Sequence, residues 1–266
     1  MDSNHLLGYF LAVLIGISLG LIGSGGSILS VPILVYVMGI EPILATAYSL
    51  FTVGITALVG GIKKAKEQLV DFKKVMVFGL PTLIAVFLTR KFIVPALPEV
   101  IIQSATITVH KSTLIMSVFA VVMMIAALRM IQPTKEVQPN EHSEINYLKI
   151  AFTGIFIGLI AGFVGAGGGF LIIPALLFLA KTPMKIAIGT SLFIIAIQSL
   201  IGFIGDIRPE QILDWKLLLI FSSCSIFGLF IGSALSQKLD ASKLKTLFGW
   251  FVLVMGIYII VKEIFI

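Results

Sequence analysis

The chain has 266 residues, of which 58% are hydrophobic and 12% charged, whereas a soluble globular domain carries about 25% charged residues. Its 19 Lys+Arg against 13 Asp+Glu give a net charge of +6, but the charges sit in short gaps between long uncharged runs and read as topology signals. This excludes a soluble globular domain and a nucleic-acid partner, and points to an all-α polytopic membrane protein.

Apolar segments follow in order at 6–40, 42–62, 75–89, 112–128, 150–180, 186–205, 217–237 and 246–261. The longest of these eight exceed the roughly 18 uncharged residues that mark a membrane span. No Lys or Arg precedes the first segment and no cleavage site follows it, so it does not read as a secretory signal and is expected to be retained. Between the fourth and fifth segments comes 132–146, QPTKEVQPNEHSEIN, polar and holding two prolines, which is what a solvated linker looks like. The expected organisation is a four-segment repeat at 1–131, the linker at 132–146, and a second four-segment repeat at 147–266. Cys224, the single cysteine, lies inside an apolar run, so neither a disulfide framework nor a cysteine metal site is expected.

The two halves also share letters. GSGGS at 23–27 followed by Pro32 matches GAGGG at 165–169 followed by Pro174, at an offset of 142. At that offset Ala45, Ser49, Leu50, Phe51 and Gly60 match Ala187, Ser191, Leu192, Phe193 and Gly202. One residue later in register, Asp71-Phe72-Lys73 parallels Asp214-Trp215-Lys216. A glycine cluster, a proline, a serine and an Asp-aromatic-Lys recurring in order read as an internal repeat.

The first segment of each half is too long for one straight span. At ~1.5 Å per residue the run 6–40 would extend about 50 Å against a ~30 Å hydrocarbon core. Each is expected to break at its glycine cluster, where side chains are absent and positive φ is permitted. Backbone opened at membrane depth is tolerated only inside protein or beside a wet cavity, and a half-helix that starts there presents unpaired N–H groups that favour anions. Broken helices at matching places in two halves are the sequence mark of a transporter's central site. Gly16, Gly20, Gly154, Gly158 and Gly162, at four-residue spacing, instead fit close helix packing.

The candidate substrate-binding set is therefore Gly23, Ser24, Gly25, Gly26, Ser27 and Ser49 in the first half, with Gly165, Gly167, Gly168, Gly169, Thr190, Ser191 and Gln198 in the second. No acidic or basic residue lies in the middle of any expected span, which favours an anionic or neutral substrate held by N–H and hydroxyl donors. Any one hydroxyl can equally bond back to its own helix. No catalytic residue, metal ligand or cofactor is expected. Ser24 and Ser27 have no base at matching depth, and no HExxH or paired acidic motif occurs.

GLIGSGGSILSVP at 20–32, GFVGAGGGFLIIP at 162–174, PMKIAIGTSLF at 183–193, and the closing IGSALS at 231–236 with KLKTLF at 243–248 resemble the sulfite exporter TauE/SafE family, also called toluenesulfonate uptake permeases. The resemblance covers nearly the whole chain. It implies a multi-pass inner- or plasma-membrane carrier of a prokaryote that exports sulfur-containing anions such as sulfite, sulfoacetate or other organosulfonates, by alternating access between the repeats. The chain departs from its own symmetry at 90–111, RKFIVPALPEVIIQSATITVHK, where the second half has only a short turn; a cap and a long loop are both open.

The expected partners are a small anion and the lipid bilayer, with homo-oligomerisation left open. The loop 63–74 carries five lysines and is the best cytoplasmic segment. Parallel halves would divide Lys+Arg 11 to 8 and inverted halves 13 to 6, so the charge bias favours inversion. The competing class is a membrane scaffold or assembly factor, which would need neither glycine breaks nor a duplicated core.

Overall fold

Lipid offers a backbone no hydrogen bonds, so apolar segments satisfy their own N–H and C=O groups as helices. The computed structural model describes residues 3–23, 26–103, 108–132, 147–207, 213–236 and 241–265. Within them stand ten helices: α1 (Ser3–Ile22), α2 (Ser27–Val37), α3 (Pro42–Lys66), α4 (Phe72–Ala96), α5 (Lys111–Ile131), α6 (Tyr147–Val164), α7 (Gly169–Phe178), α8 (Met184–Asp206), α9 (Trp215–Leu235) and α10 (Ala241–Phe265). Six of these are long and apolar enough to cross a bilayer. Eight segments were expected; ten helices result because helix stops at Ile22 and resumes at Ser27, and stops at Val164 and resumes at Gly169. Most of the expected linker, 133–146, lies outside the described residues.

The two short helices turn back on the helices before them. A Cβ at Gly26 would meet Ile15 and Leu19, and one at Gly8 would meet Met38, so α2 runs antiparallel along α1. Likewise a Cβ at Gly168 would meet Ala161 of α6. Pro32 and Pro174 fall inside these returning helices. After Pro32 the ladder opens to a π-helical turn, Ile33–Val37. Two further π-helical turns, Val75–Gly79 and Thr89–Ile93, lie within α4 beside Pro81 and Pro95, as expected where a missing N–H shifts the hydrogen-bond register.

Helix pairing recurs across the chain. α1 packs on α9 and α6 on α4; α3 packs on α8, and α5 on α10. The small residues make this close. A Cβ at Gly16 would collide with the Ser225 carbonyl and one at Gly232 with the Ile17 carbonyl, while Gly154 and Gly158 sit against Phe78 and Thr82. These glycines thus serve helix packing. Along α3 and α8 the partners run in opposite order, Gly54 with Leu200 and Gly61 with Phe193, so the two helices are antiparallel. Gly249 with Met130 and Gly256 with Met123 make α5 and α10 antiparallel too.

Matched residues make matched contacts at opposite ends. Phe51 stacks edge-on against Trp215 at 5.9 Å and Phe193 against Phe72 at 5.5 Å between centroids. The Asp214 N–H donates to Tyr48 Oη at 2.7 Å, and the Asp71 N–H donates to Thr190 Oγ1 at 3.0 Å. Each aspartate then caps its own helix, Asp71 accepting from the Lys74 N–H and Asp214 from the Leu217 N–H. The segment 90–111 is mostly not loop: α4 extends to Ala96 and an antiparallel hairpin pairs β1 (Val100–Gln103) with β2 (Thr108–His110).

Candidate functional site

The second glycine cluster forms a left-handed turn. Gly165, Gly167 and Gly168 have φ of +74°, +67° and +59°, a region that costs other L-residues roughly 1–2 kcal/mol each. Gly165 closes α6 by donating its N–H to Ala161 O at 2.9 Å. Gly168 precedes α7 and accepts the Leu171 N–H at 2.9 Å. Gly169 is the first residue of α7, so the N-terminus of that helix opens off the turn; the Ile172 N–H also donates to the Gly168 carbonyl, at 3.3 Å.

The surroundings of this turn are polar and buried. Gly167 lies against Ser199, Val53 and Ile195, near the middle of α3 and α8. Gln198 Nε2 donates a short hydrogen bond to the Gly167 carbonyl. Gln198 Oε1 and Ser199 Oγ, both fully buried, have no hydrogen-bond partner among the described residues. Towards the start of α3, a Cβ at Gly165 would collide with Thr46 and with the Arg90 guanidinium. Arg90 is 1% exposed; its Nη1 donates to Thr46 Oγ1 at 2.9 Å and lies 3.0 Å from Asp206 Oδ2.

The first cluster is different. Ser24 and Gly25 lie outside the described residues. Gly23, at φ +82°, sits against Ile188, and Gly26 against the α1 backbone. Ser27, Ser30 and Ser49 are fully buried. Ser30 Oγ donates to Ser27 O at 2.8 Å and makes a short bond with Ser49 Oγ, so hydroxyls here are spent on tying α2 to α3. Thr190 accepts from the Asp71 N–H and Ser191 donates to Ile188 O at 2.8 Å on its own helix; both bonds shape helices and loops.

Of the expected residues, then, the structure brings together Gly165, Gly167, Gly168, Gly169 and Gln198, and separately ties Ser27 to Ser49 through Ser30. It adds two that the sequence reading missed. Ser199 follows Gln198 directly, and that adjacency in an apolar helix was the available signal. By sequence Arg90 begins the 90–111 departure, for which a cap and a long loop are both open, because a charge ends the apolar run at 89. The apolar stretch FIVPAL at 92–97 was the sign that the helix continues. The expected span 75–89 is longer in the structure: α4 runs from Phe72 to Ala96, so Arg90 lies buried within the helix, towards its C-terminal end.

The sequence profile described as Sulfite exporter TauE/SafE matches residues 9–259. A "Probable membrane transporter protein" of Xylella fastidiosa is 31% identical over 253 residues, covering 93% of this chain and 91% of that protein. A "Probable membrane transporter protein YunE" of Bacillus subtilis is 24% identical, over 97% of this chain and all of its own length. A Haemophilus influenzae protein with the same transporter description is 28% identical over 97% of this chain and 98% of its own. No solved structure matches the chain.

Proposed function

The chain belongs to the sulfite exporter TauE/SafE family, and from that premise we propose that it exports a small sulfur oxyanion, such as sulfite or an organosulfonate, by alternating access at the second glycine turn. It is a multi-pass membrane transporter of the cell membrane. The observation that carries the substrate reading is the Gly167–Gly168 turn. It opens α7 beside Gln198 and Ser199 near mid-bundle, where Gln198 Oε1 and Ser199 Oγ are buried without hydrogen-bond partners among the described residues. Backbone N–H groups and the positive end of a helix dipole suit an anion there, and opened backbone at this depth fits a buried or wetted site.

Alternating access is supported by the helix directions. The helices matched at an offset of 142, α3 with α8, are antiparallel and make equivalent contacts at opposite ends. We read the chain as two inverted halves, each a broken hairpin plus three long helices, which places a substrate between elements that can rock against each other. Inversion puts 13 of the 19 Lys+Arg, including the 63–74 loop, on one side of the membrane. The positive-inside rule makes that side cytoplasmic. An interior-negative potential then drives anions outward by about 2.3 kcal/mol per charge per 100 mV.

The test is flux of labelled sulfite, sulfate, thiosulfate and a short organosulfonate in liposomes holding the purified chain, with and without imposed pH and potential gradients. Saturable flux of one of them is expected, and its gradient dependence identifies the coupling. Absence of flux for all four, from protein that is folded and inserted, would overturn the oxyanion reading.

A further inference from the structure

A guanidinium inside a transmembrane helix is costly, and such residues mark substrate paths unless fully paired. Arg90 is only half paired. One corner, Nη1, is held by Thr46 Oγ1 at 2.9 Å and by Asp206 Oδ2 at 3.0 Å. The opposite edge, Nε with Nη2, has no hydrogen-bond partner among the described residues although the side chain is 1% exposed. That edge carries two parallel N–H donors, the geometry that accepts two oxygens of a carboxylate, phosphate or sulfonate at once. Its Nη2 end abuts the second glycine turn: it lies 2.0 Å from where a Cβ of Gly165 would be, so any residue but glycine there would displace the arginine. The π-helical turn Thr89–Ile93 contains Arg90, and such turns are frequent at functional sites.

A purely structural ion pair does not account for this arrangement. If Arg90 served only to neutralise Asp206, burying two further donors unmatched would penalise the fold. Thr46 and Asp206 instead fix the plane of the guanidinium and leave its fork-shaped edge for something else. We propose that Arg90 is the charged recognition residue of the transport path, taking two oxygens of a sulfur oxyanion on its Nε–Nη2 edge beside Gly165. This rests on the oxyanion-carrier reading and assigns the charge that recognises the substrate. Asp206 acts as the opposing element: its carboxylate holds Arg90 and repels the arriving anion, which keeps binding weak enough for release.

The experiment is sulfite binding by the purified full chain, measured by titration calorimetry at constant ionic strength with chloride as the single-atom control and with sulfate, thiosulfate and methanesulfonate in parallel. Folding is checked by size-exclusion and melting. Asp206→Asn is expected to bind sulfite several-fold more tightly, because the repelling carboxylate is gone. The double variant Arg90→Gln/Asp206→Asn removes both members of the ion pair and is expected to fold, yet to bind sulfite about tenfold or more weakly. Arg90→Lys keeps the charge and the Asp206 pair but loses the fork, and is expected to weaken sulfite at least threefold while leaving chloride unchanged. Sulfite binding at wild-type strength in the folded double variant, or in Arg90→Lys should the double variant not fold, would overturn the role of Arg90 alone. A wild-type chain that binds none of the four oxyanions would remove the carrier reading, and the proposal with it.

Discussion

The two glycine turns occupy matched places in the chain but have unequal chemistry around them. Thr46 faces the second turn where Ile188, at the same offset of 142, faces the first. Gln198 and Ser199 correspond to Thr56 and Ala57, and Arg90, one residue later in register, to Ser233. Thr56 donates to Thr52 O within its own helix, while Gln198 reaches across to the Gly167 carbonyl. One scaffold therefore supplies two hairpins. The second has Gln198 Oε1, Ser199 Oγ and two Arg90 nitrogens without partners among the described residues; in the first, Ser30 bonds to the Ser27 carbonyl and to Ser49 Oγ, and Ser18 Oγ on α1 is the buried polar atom left without a partner. Sequence repetition need not divide the chemistry equally, and the residues that differ within each matched pair give the two turns their different surroundings.

The sharpest way to break this comparison is at glycines that share a backbone but not a neighbourhood. Gly167 and Gly39 both have positive φ, +67° and +70°. A Cβ at Gly167 would lie 2.8 Å from Ser199 Oγ, whereas one at Gly39 meets nothing within 4 Å. Gly167→Leu and Gly39→Leu thus carry a similar conformational cost, of about 1–2 kcal/mol, and only the first fills the turn. Liposome flux is expected to vanish in Gly167→Leu and to persist in Gly39→Leu, with both inserted. Equal flux in the two would show that the turn is not the substrate path.

A smaller effect separates Gln198 from Thr56. Gln198→Leu leaves the Gly167 carbonyl buried without its donor, a loss of about 1–3 kcal/mol at the turn itself. Thr56→Val removes only a bond back to its own helix, worth a few tenths of a kcal/mol by the behaviour of such back-bonds. The expected readout is a fall in flux of about tenfold or more for Gln198→Leu and none beyond twofold for Thr56→Val. Comparable losses would mean that both halves line the path.

Much of this was legible in the letters. The uncharged runs give the polytopic helical class, and the glycine clusters mark where helix stops at Ile22 and Val164. The four-residue glycine spacing in α1 and α6 announces backbone-on-backbone packing, which the collisions at Gly16 and Gly158 bear out. The site was only half legible. Ser191 looks like the partner of Ser49 by register, with Thr190 beside it, but a hydroxyl's partner is set by which chain approaches it, and for Thr190 that is the Asp71 loop of the other half. Arg90 was missed for a physical reason as well. Charge was used as a span terminator, and a span can carry a charge where a second helix supplies a counterion, here Asp206 at the end of α8.

The smallest test concerns what the two halves do share. Tyr48 Oη and Thr190 Oγ1 sit at the same offset and each accept one backbone N–H, from Asp214 and Asp71, at the two entrances to α9 and α4. Tyr48→Phe and Thr190→Val each delete that acceptor with nearly unchanged shape. Hydrogen bonds between helices in membranes are worth about 0.6 kcal/mol on average and at most ~1.7. Both variants are expected to lower unfolding stability by about that average, and by amounts equal within error, with sulfite affinity unmoved. If Thr190→Val instead weakens binding while Tyr48→Phe does not, Thr190 belongs to the substrate path, and the division drawn between its structural hydroxyl and the polar turn at Gly167 has to be redrawn. Equal small losses would mean that symmetry in this chain resides in the frame, while the chemistry sits on one side of it.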